Sequence, residues 1–436
     1  MASVSTRALG FPAVWLRHNC PCPDCRDPVT GQRLVEITEL PGRLSAAVTT
    51  EFADSIEVTF APEGHRSVFS RAWLAASAPD VDGDADARTE DGKVLWRAVE
   101  PARLPAGSGA TPAAASAAVS AGCLAAVPAA DWATYLADDA VRMSLLDAVA
   151  RYGAGLLRGV PAAEGMVTAV AETFGYVRET NYGRIFDVRV VADPANLAFT
   201  SRAIAPHTDN PYRDPVPTLQ LLHCLRDAAV GGETMVVDGF AAAAALRDTD
   251  PVSFGVLTST PIPFAYVDKE TSLTACQPLI ALNPRGRISC VRLNNRSMQP
   301  ARLPYQKAEA FYAAYRAWAS IVARPEFALA LRLAPGDCLV FDNTRILHTR
   351  TAFAPAPSQS PDSAPGSTSS TATSTDSDAS STETSTGSDT SPGPSVSPGS
   401  GERHLQGCYA DLDGLLSTLA VLRRARPTSP DGLPPT

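Results

Sequence analysis

The sequence predicts a mainly β protein with flanking helices, an α+β chain of 436 residues. Three observations carry that expectation. Short alternating or continuously apolar runs recur along the chain, few stretches have helical periodicity, and two segments poor in bulky apolar residues interrupt the pattern.

Taken in order, residues 1–99 form a small unit with strand-like runs LVEITEL and SIEVTF. Residues 100–127 are rich in Ala, Ser, Gly and Pro and read as a linker. A larger unit spans 128–353 and resumes at 403–426. It opens on ADWATYLADDAVRMSLLDAVARYG, which has helical spacing and a glycine stop. Strands follow at GAGLLRGV, LQLLHCL, ETMVVDGF, RISCVRLNN and CLVFDNTRIL, with helices at AAAALRDTD and QKAEAFYAAYRAWASIV. Residues 354–402, mostly Ser, Thr, Pro, Gly and Asp, have too little apolar surface to offset the entropy of ordering and are expected to be disordered. The same is expected of the tail, 427–436.

Composition bounds the function. A hydrophobic content of 45% with 19% charged residues suits a folded soluble chain with a sizeable core. A net charge of −9 and the lack of any Lys/Arg-rich run argue against nucleic acid as partner. The N-terminus has no uninterrupted apolar core of signal-peptide type, and no apolar stretch reaches the ~18 residues of a membrane span, so a cytoplasmic protein is expected. The nine cysteines, an odd count without a signal, argue against a disulfide framework; the six scattered ones read as small buried apolar residues.

The other three cysteines crowd into NCPCPDC. Cys20, Cys22 and Cys25 can converge on one soft metal ion, zinc first. A tetrahedral site needs a fourth donor. His18 lies two residues before Cys20, where the geometry is strained; His65, beyond a predicted hairpin, is preferred, and four protein donors would make the site structural.

The segment APHTDNPYRDP holds His207 and Asp209 at i and i+2, which on an extended strand share a side. A second histidine would complete the two-His, one-carboxylate triad that leaves positions open on non-haem Fe(II). His348, ending the run after the turn APGD, is the candidate, whereas His223 inside LQLLHCL reads as core. An HxD pair alone also fits a loop histidine beside an acid. The pairing gains force from Arg403, which follows the low-complexity tract and could hold a carboxylate through its planar fork.

The blocks WLRHNCPCPDC, GHRSVFSRAWL, NYGRIFDV, NLAFT, HTD, LQLLHC, GGETMVVDGF, LNN, PGDCLVFDNTRILH and RHLQGCYADLDGLLS together resemble the γ-butyrobetaine dioxygenase and trimethyllysine dioxygenase family of Fe(II)/2-oxoglutarate oxygenases, relatives of taurine dioxygenase. The resemblance spans the chain except for the linker and the tract. It implies a small N-terminal zinc-binding β domain and a double-stranded β-helix (jelly-roll) catalytic domain. It places zinc on Cys20, Cys22, Cys25 and His65, iron on His207, Asp209 and His348, and the 2-oxoglutarate co-substrate on Arg403. It also implies a homodimer, with ascorbate as reductant. The loop between His348 and Arg403 is short in the family. Here it has taken up the low-complexity tract, and even a fivefold lengthening costs only about 1–2 kcal/mol of closure entropy.

For the substrate, the resemblance implies an aromatic cage for a trimethylammonium group, from Tyr182, Phe186, Phe199 and Tyr409, and carboxylate contacts from Asn196 and Asn294. Phe186 and Thr344 stand where Trp is usual, and Phe199 and Asn210 where Tyr is usual. The implied reaction is hydroxylation of a small quaternary-ammonium carboxylate, γ-butyrobetaine to L-carnitine first. Trimethyllysine or a trimethylammonium phosphonate is the alternative. A non-enzymatic binding module with a degenerate metal site is the competing class, against which the complete HxD…His…Arg set speaks.

Overall fold

A computed structural model describes residues 4–5, 10–77, 89–90, 92–98, 123–190, 200–227, 230–354 and 403–425. The chain separates into two compact units, Met1–Ala85 and Asp86–Thr436. The tail, all of the 354–402 tract but Ala354, and most of the linker lie outside the described residues.

In the first unit, helix α1 (Ala13–His18) precedes three antiparallel strands, β1 (Ser45–Glu51), β2 (Ser55–Ala61) and β3 (Arg66–Ser70), and helix α2 (Arg71–Ala76). Strand β2 alternates in burial, so Ile56, Val58 and Phe60 face one cluster with Phe11, Leu16 and Phe69. The run LVEITEL is not a strand. It holds a 3-10 turn at Ile37–Glu39, with Leu34 54% and Ile37 50% exposed. Alternation there had no partner strand to pair with, while β1, with weaker alternation, pairs with β2.

The boundary falls before the composition break near 99. Trp96 is 1% exposed in the larger unit, its backbone N–H donating to Asp238 Oδ2 at 3.0 Å and its indole N–H to the Tyr152 carbonyl at 2.7 Å. The end of the expected linker is also structured: Arg97–Ala98 pairs in parallel with Cys123–Leu124.

In the larger unit, β4 (Ala129–Asp131) leads to helices α3 (Trp132–Ala137) and α4 (Asp139–Tyr152). The single helical pattern of the sequence breaks because Asp138 leaves the helical region and caps α4, accepting from the Ala140 N–H; Gly153 ends it at φ +84°. Next come β5 (Ala154–Arg158), β6 (Val177–Arg178), β7 (Phe186–Val188), β8 (Ile204–His207), β9 (Leu219–Arg226) and β10 (Thr234–Asp238). Helices α5 (Gly239–Thr249) and α6 (Pro251–Ser259) precede the hairpin β11 (Ile262–Val267)–β12 (Ser272–Gln277). Beyond a short hairpin, Ile280–Leu282 with Ile288–Val291, come helix α7 (Tyr305–Val322), β13 (Ala328–Leu331), β14 (Cys338–Asp342), β15 (Ile346–Arg350), β16 (His404–Ala410) and helix α8 (Leu412–Ala425).

One sheet runs β6–β16–β9–β14–β5–β4, with β7 also on β16; the other runs β8–β15–β10–β13. Their inner faces share a core in which Leu222, Leu339, Phe341 and Leu405 meet Val236, Leu329 and Ile346. Strand β9 is buried on both faces: Leu219 and Leu221 pack under the helices, Leu222 and Cys224 into the sandwich. That explains its continuous apolar run. This is the double-stranded β-helix with flanking helices.

The run CLVFDNTRIL is two strands. Asp342 turns the chain by accepting from the Thr344 N–H and hydroxyl, so His348 sits in the middle of β15 rather than at a strand end. Arg345 in that turn is fully buried and pairs with Asp238 at 2.7 Å. Losing one partner of such a pair costs about 3–5 kcal/mol. Of the scattered cysteines, Cys224, Cys290, Cys338 and Cys408 are buried, but Cys276 is exposed and Cys123 partly so, because neither lies in a covered sheet face. No described helix is long and apolar enough to cross a membrane.

Candidate active site

His207 closes β8 directly opposite His348 on β15, so the two imidazoles form a cross-strand pair with ring centroids 4.1 Å apart. Asp209 lies past the end of β8, in a bend, not on the extended segment that the i, i+2 spacing suggests. The bend is fixed by Asn343, which accepts from the Asp209 N–H at 2.8 Å and donates to the Asp209 carbonyl at 2.9 Å. The carboxylate still reaches both rings, 3.4 Å from His207 Nε2 and 4.0 Å from His348 Nε2.

The three side chains fit one metal ion, with donor atoms all within 4.8 Å of one another. His207 Nδ1 donates to the Ala205 carbonyl at 2.9 Å, which fixes the ring with Nε2 toward Asp209. Burial alone would raise the Asp209 carboxyl, but the hydrogen bond with His207 and the two adjacent imidazoles hold it well below the usual range. Burial and the charge of His207 push His348 down to about 3. A neutral imidazole and an ionised carboxylate are the forms that bind metal. Two further groups hold Asp209 Oδ2: Gln220 Nε2 at 2.9 Å and the Tyr409 hydroxyl at 3.0 Å. Sequence reading missed Gln220 and Asn343. The one available signal was a polar residue at an inward position of the apolar strand LQLLHC.

The triad opens into a cavity of about 460 Å³. Arg403 lines it, is 5% exposed, and has no carboxylate partner among the described residues. Burial lowers its pKa. Arg350, the other buried guanidinium here, donates to the carbonyls of Thr200 and Arg202 at 2.5 and 2.8 Å, and both cations lie over the Phe353 ring.

Tyr182, Phe186 and Tyr409 are brought together on the cavity wall, with centroids 6.3 Å apart for Tyr182–Phe186 and 5.0 Å for Phe186–Tyr409. Gly407, opposite Phe186 in the sheet, makes room: a Cβ there would stand 2.3 Å from the ring. Tyr212 and Tyr266, not picked out by the sequence, extend the wall, Tyr266 lying 5.6 Å from Tyr182 and 5.3 Å from Tyr212. Asn294 also lines the cavity, but its amide is engaged, donating to the Thr208 carbonyl at 3.0 Å and accepting from the Ser297 N–H at 3.3 Å. Asn196 and Phe199 lie outside the described residues. His223 is fully buried on β9 and does not line the cavity.

In the first unit, the three thiols and His65 converge. Cys20, Cys22 and Cys25 Sγ lie 3.3, 3.7 and 3.6 Å from His65 Nε2. Tetrahedral bonds of about 2.0–2.3 Å require donor separations of about 3.3–3.8 Å. Ser67 Oγ donates to Cys20 Sγ at 2.8 Å and Arg17 to Cys25 Sγ at 3.2 Å. His18 is not among these donors.

A double-stranded β-helix whose cavity joins such a triad to a buried arginine defines the class: a non-haem Fe(II)/2-oxoglutarate-dependent dioxygenase. Comparison with known proteins agrees. Residues 117–360 match the taurine catabolism dioxygenase TauD, TfdA family and residues 5–75 the gamma-butyrobetaine hydroxylase-like N-terminal family. A gamma-butyrobetaine dioxygenase of Pseudomonas sp. (strain AK-1) is 31% identical over 96% of this chain and 92% of its own. The Homo sapiens gamma-butyrobetaine dioxygenase is 25% identical over 95% and 91%, and a trimethyllysine dioxygenase of Meyerozyma guilliermondii 27% identical over 79% and 84%. The chain belongs to the TauD, TfdA dioxygenase family.

Proposed function

We propose that this dioxygenase hydroxylates a small quaternary-ammonium carboxylate, γ-butyrobetaine first, giving L-carnitine. The observation that carries the reading is a single cavity holding the His207–Asp209–His348 triad, the buried Arg403, with no carboxylate partner among the described residues, and the aromatic wall of Tyr182, Phe186 and Tyr409. The relatives named for γ-butyrobetaine lend support.

In this reading His207 Nε2, an Asp209 oxygen and His348 Nε2 hold Fe(II). Bound there, the ion supplies dioxygen activation coupled to decarboxylation of 2-oxoglutarate to succinate and CO2, with the second oxygen atom going to the substrate. Arg403 pairs with the distal carboxylate of 2-oxoglutarate, the charge its buried guanidinium otherwise lacks. Gln220 and Tyr409 fix the Asp209 carboxylate, so its metal-facing oxygen does not swing. The aromatic faces take the trimethylammonium group by cation–π attraction and exclude water around it. Asn294, anchored to the backbone, has one N–H left for the substrate; Asn196 and Phe199 are assigned contacts by resemblance alone. Zinc on Cys20, Cys22, Cys25 and His65 is structural, since four protein donors leave no open position. A cytoplasmic homodimer with ascorbate as reductant completes the proposal.

The test is succinate formation with Fe(II) and 2-oxoglutarate over a panel of γ-butyrobetaine, trimethyllysine and a trimethylammonium phosphonate. We expect γ-butyrobetaine to stimulate most and His207→Ala to abolish the response. If no quaternary ammonium compound stimulates turnover, the substrate assignment fails; if His207→Ala turns over like the parent, the iron assignment fails.

A further inference from the structure

We propose that Arg296 is the residue that recognises the anionic end of the substrate and sets the enzyme's preference for acids over their neutral derivatives. This deepens the substrate reading above and rests on it.

The observations concern charge and position. Three guanidiniums line the cavity, Arg296, Arg350 and Arg403, against one acid, Asp209. Arg350 is spent on two backbone carbonyls. Arg403 is deep and matched to 2-oxoglutarate. Arg296 differs from both: it is exposed, sits on the cavity lining, and makes no hydrogen bond or ion pair with any described residue.

Its position is fixed by backbone rather than by chance. The turn Leu293–Ser297 is tied to the metal-site bend, the Thr208 N–H donating to the Leu293 carbonyl at 2.9 Å and Asn294 Nδ2 to the Thr208 carbonyl at 3.0 Å. The other side of the turn is tied to β11, the Ala265 N–H donating to the Ser297 carbonyl at 2.9 Å. Arg296 therefore projects from a braced loop between the triad and the Tyr266 end of the aromatic wall.

The guests account for the remaining cation. 2-Oxoglutarate uses one carboxylate at Arg403 and the other at the metal. A zwitterion with its ammonium on the aromatic faces has an oxyanion to place, and Arg296 is the unspent partner with bidentate geometry. Both carboxylate and phosphonate satisfy it.

The experiment measures calorimetric binding to protein loaded with Zn(II) in the iron site and 2-oxoglutarate, where no turnover occurs. Three probes separate the two ends of the ligand: γ-butyrobetaine, its methyl ester, which lacks the anion, and 5,5-dimethylhexanoate, which keeps the anion and replaces nitrogen by carbon. The parent should prefer the acid to the ester by about tenfold to a hundredfold, the worth of a charge-assisted pair. Arg296→Gln should abolish that preference and weaken 5,5-dimethylhexanoate, while 2-oxoglutarate affinity stays unchanged; Arg296→Lys should recover part of the preference. Repeating the series with a trimethylammonium phosphonate and its ester distinguishes the two anions. Arg296→Gln that keeps the preference, or that weakens 2-oxoglutarate instead, overturns the proposal. If the parent binds 5,5-dimethylhexanoate through Arg296 but shows no gain from the quaternary nitrogen, the ammonium reading fails and the anion site stands.

Discussion

The two clusters of donor side chains differ in how the chain assembles them. In the first unit, Cys20, Cys22 and Cys25 come from one tight turn, and only His65 is brought in from a strand connection. In the larger unit, the three donors depend on two long-range contacts: His207 and His348 on the register of one strand pair, Asp209 on Asn343. The first surrounds a point with four donors; the second presents three donors to a 460 Å³ cavity. A closed set stabilises the local fold, while an open set leaves room for co-substrate, oxygen and substrate. On the proposed roles, the closed shell goes with a structural site and the open one with catalysis.

The largest effects should come from removing one donor of each set, and they should be opposite in kind. His348→Ala is expected to reduce succinate formation to background with the thermal midpoint changed little. Cys25→Ser is expected to release zinc and unfold the first unit, seen as lost metal stoichiometry and proteolytic cleavage before residue 86. A folded first unit without zinc would erase the contrast. Next in size is the co-substrate anchor: Arg403→Met should raise the KM for 2-oxoglutarate by about tenfold to a hundredfold, the scale of a charge-assisted pair. An unchanged KM would remove Arg403 from that role.

Supporting contacts should sharpen the comparison. Gln220→Ala should cost about 10–100-fold in Fe(II) affinity or turnover, because it frees the Asp209 carboxylate. Ser67→Ala, beside Cys20, should leave turnover unaltered and show only in the rate of zinc loss to a chelator. Gly407→Ala must displace the Phe186 ring, so substrate KM should rise by about two- to thirtyfold, the range of one cation–π contact, with 2-oxoglutarate KM unmoved.

The smallest effect is in the pH dependence of the metal-free protein. Folded His348 is held near 3, while the unfolded chain takes up its proton near about 6.5. The unfolded state therefore binds more protons between those values, and stability contributed by this group falls as pH drops from about 6.5 toward 3. His348→Gln should make the thermal midpoint less pH-dependent over that window. Part of the slope should persist, since burial also lowers the pKa of His223. An unchanged slope would show that His348 is not held neutral by its surroundings.

Sequence reading succeeded where chemistry is local. NCPCPDC announces a thiolate cluster, HTD offers an imidazole beside a carboxylate, and LQLLHCL reads as a strand with a core histidine, because residue type and short spacing carry those signals. It erred where only a partner decides. LVEITEL alternates like a strand but found none to pair with; CLVFDNTRIL reads as one strand until Asp342 turns it; and residues 93–98 lie on the small-unit side of the composition break yet pack into the larger unit through Trp96.

The amino-acid sequence by itself determined the class of chemistry, the donor types at both clusters and most of the strands, since periodicity and side-chain chemistry are properties of short segments. Tertiary structure alone decided that His207 faces His348, that Gln220, Tyr409 and Asn343 hold Asp209, that Tyr212 and Tyr266 extend the aromatic wall, and that Arg296 has no hydrogen-bond or ion-pair partner among the described residues. The physical reason is register: a strand's pattern states which face it buries, and only its pairing fixes which distant residue it meets.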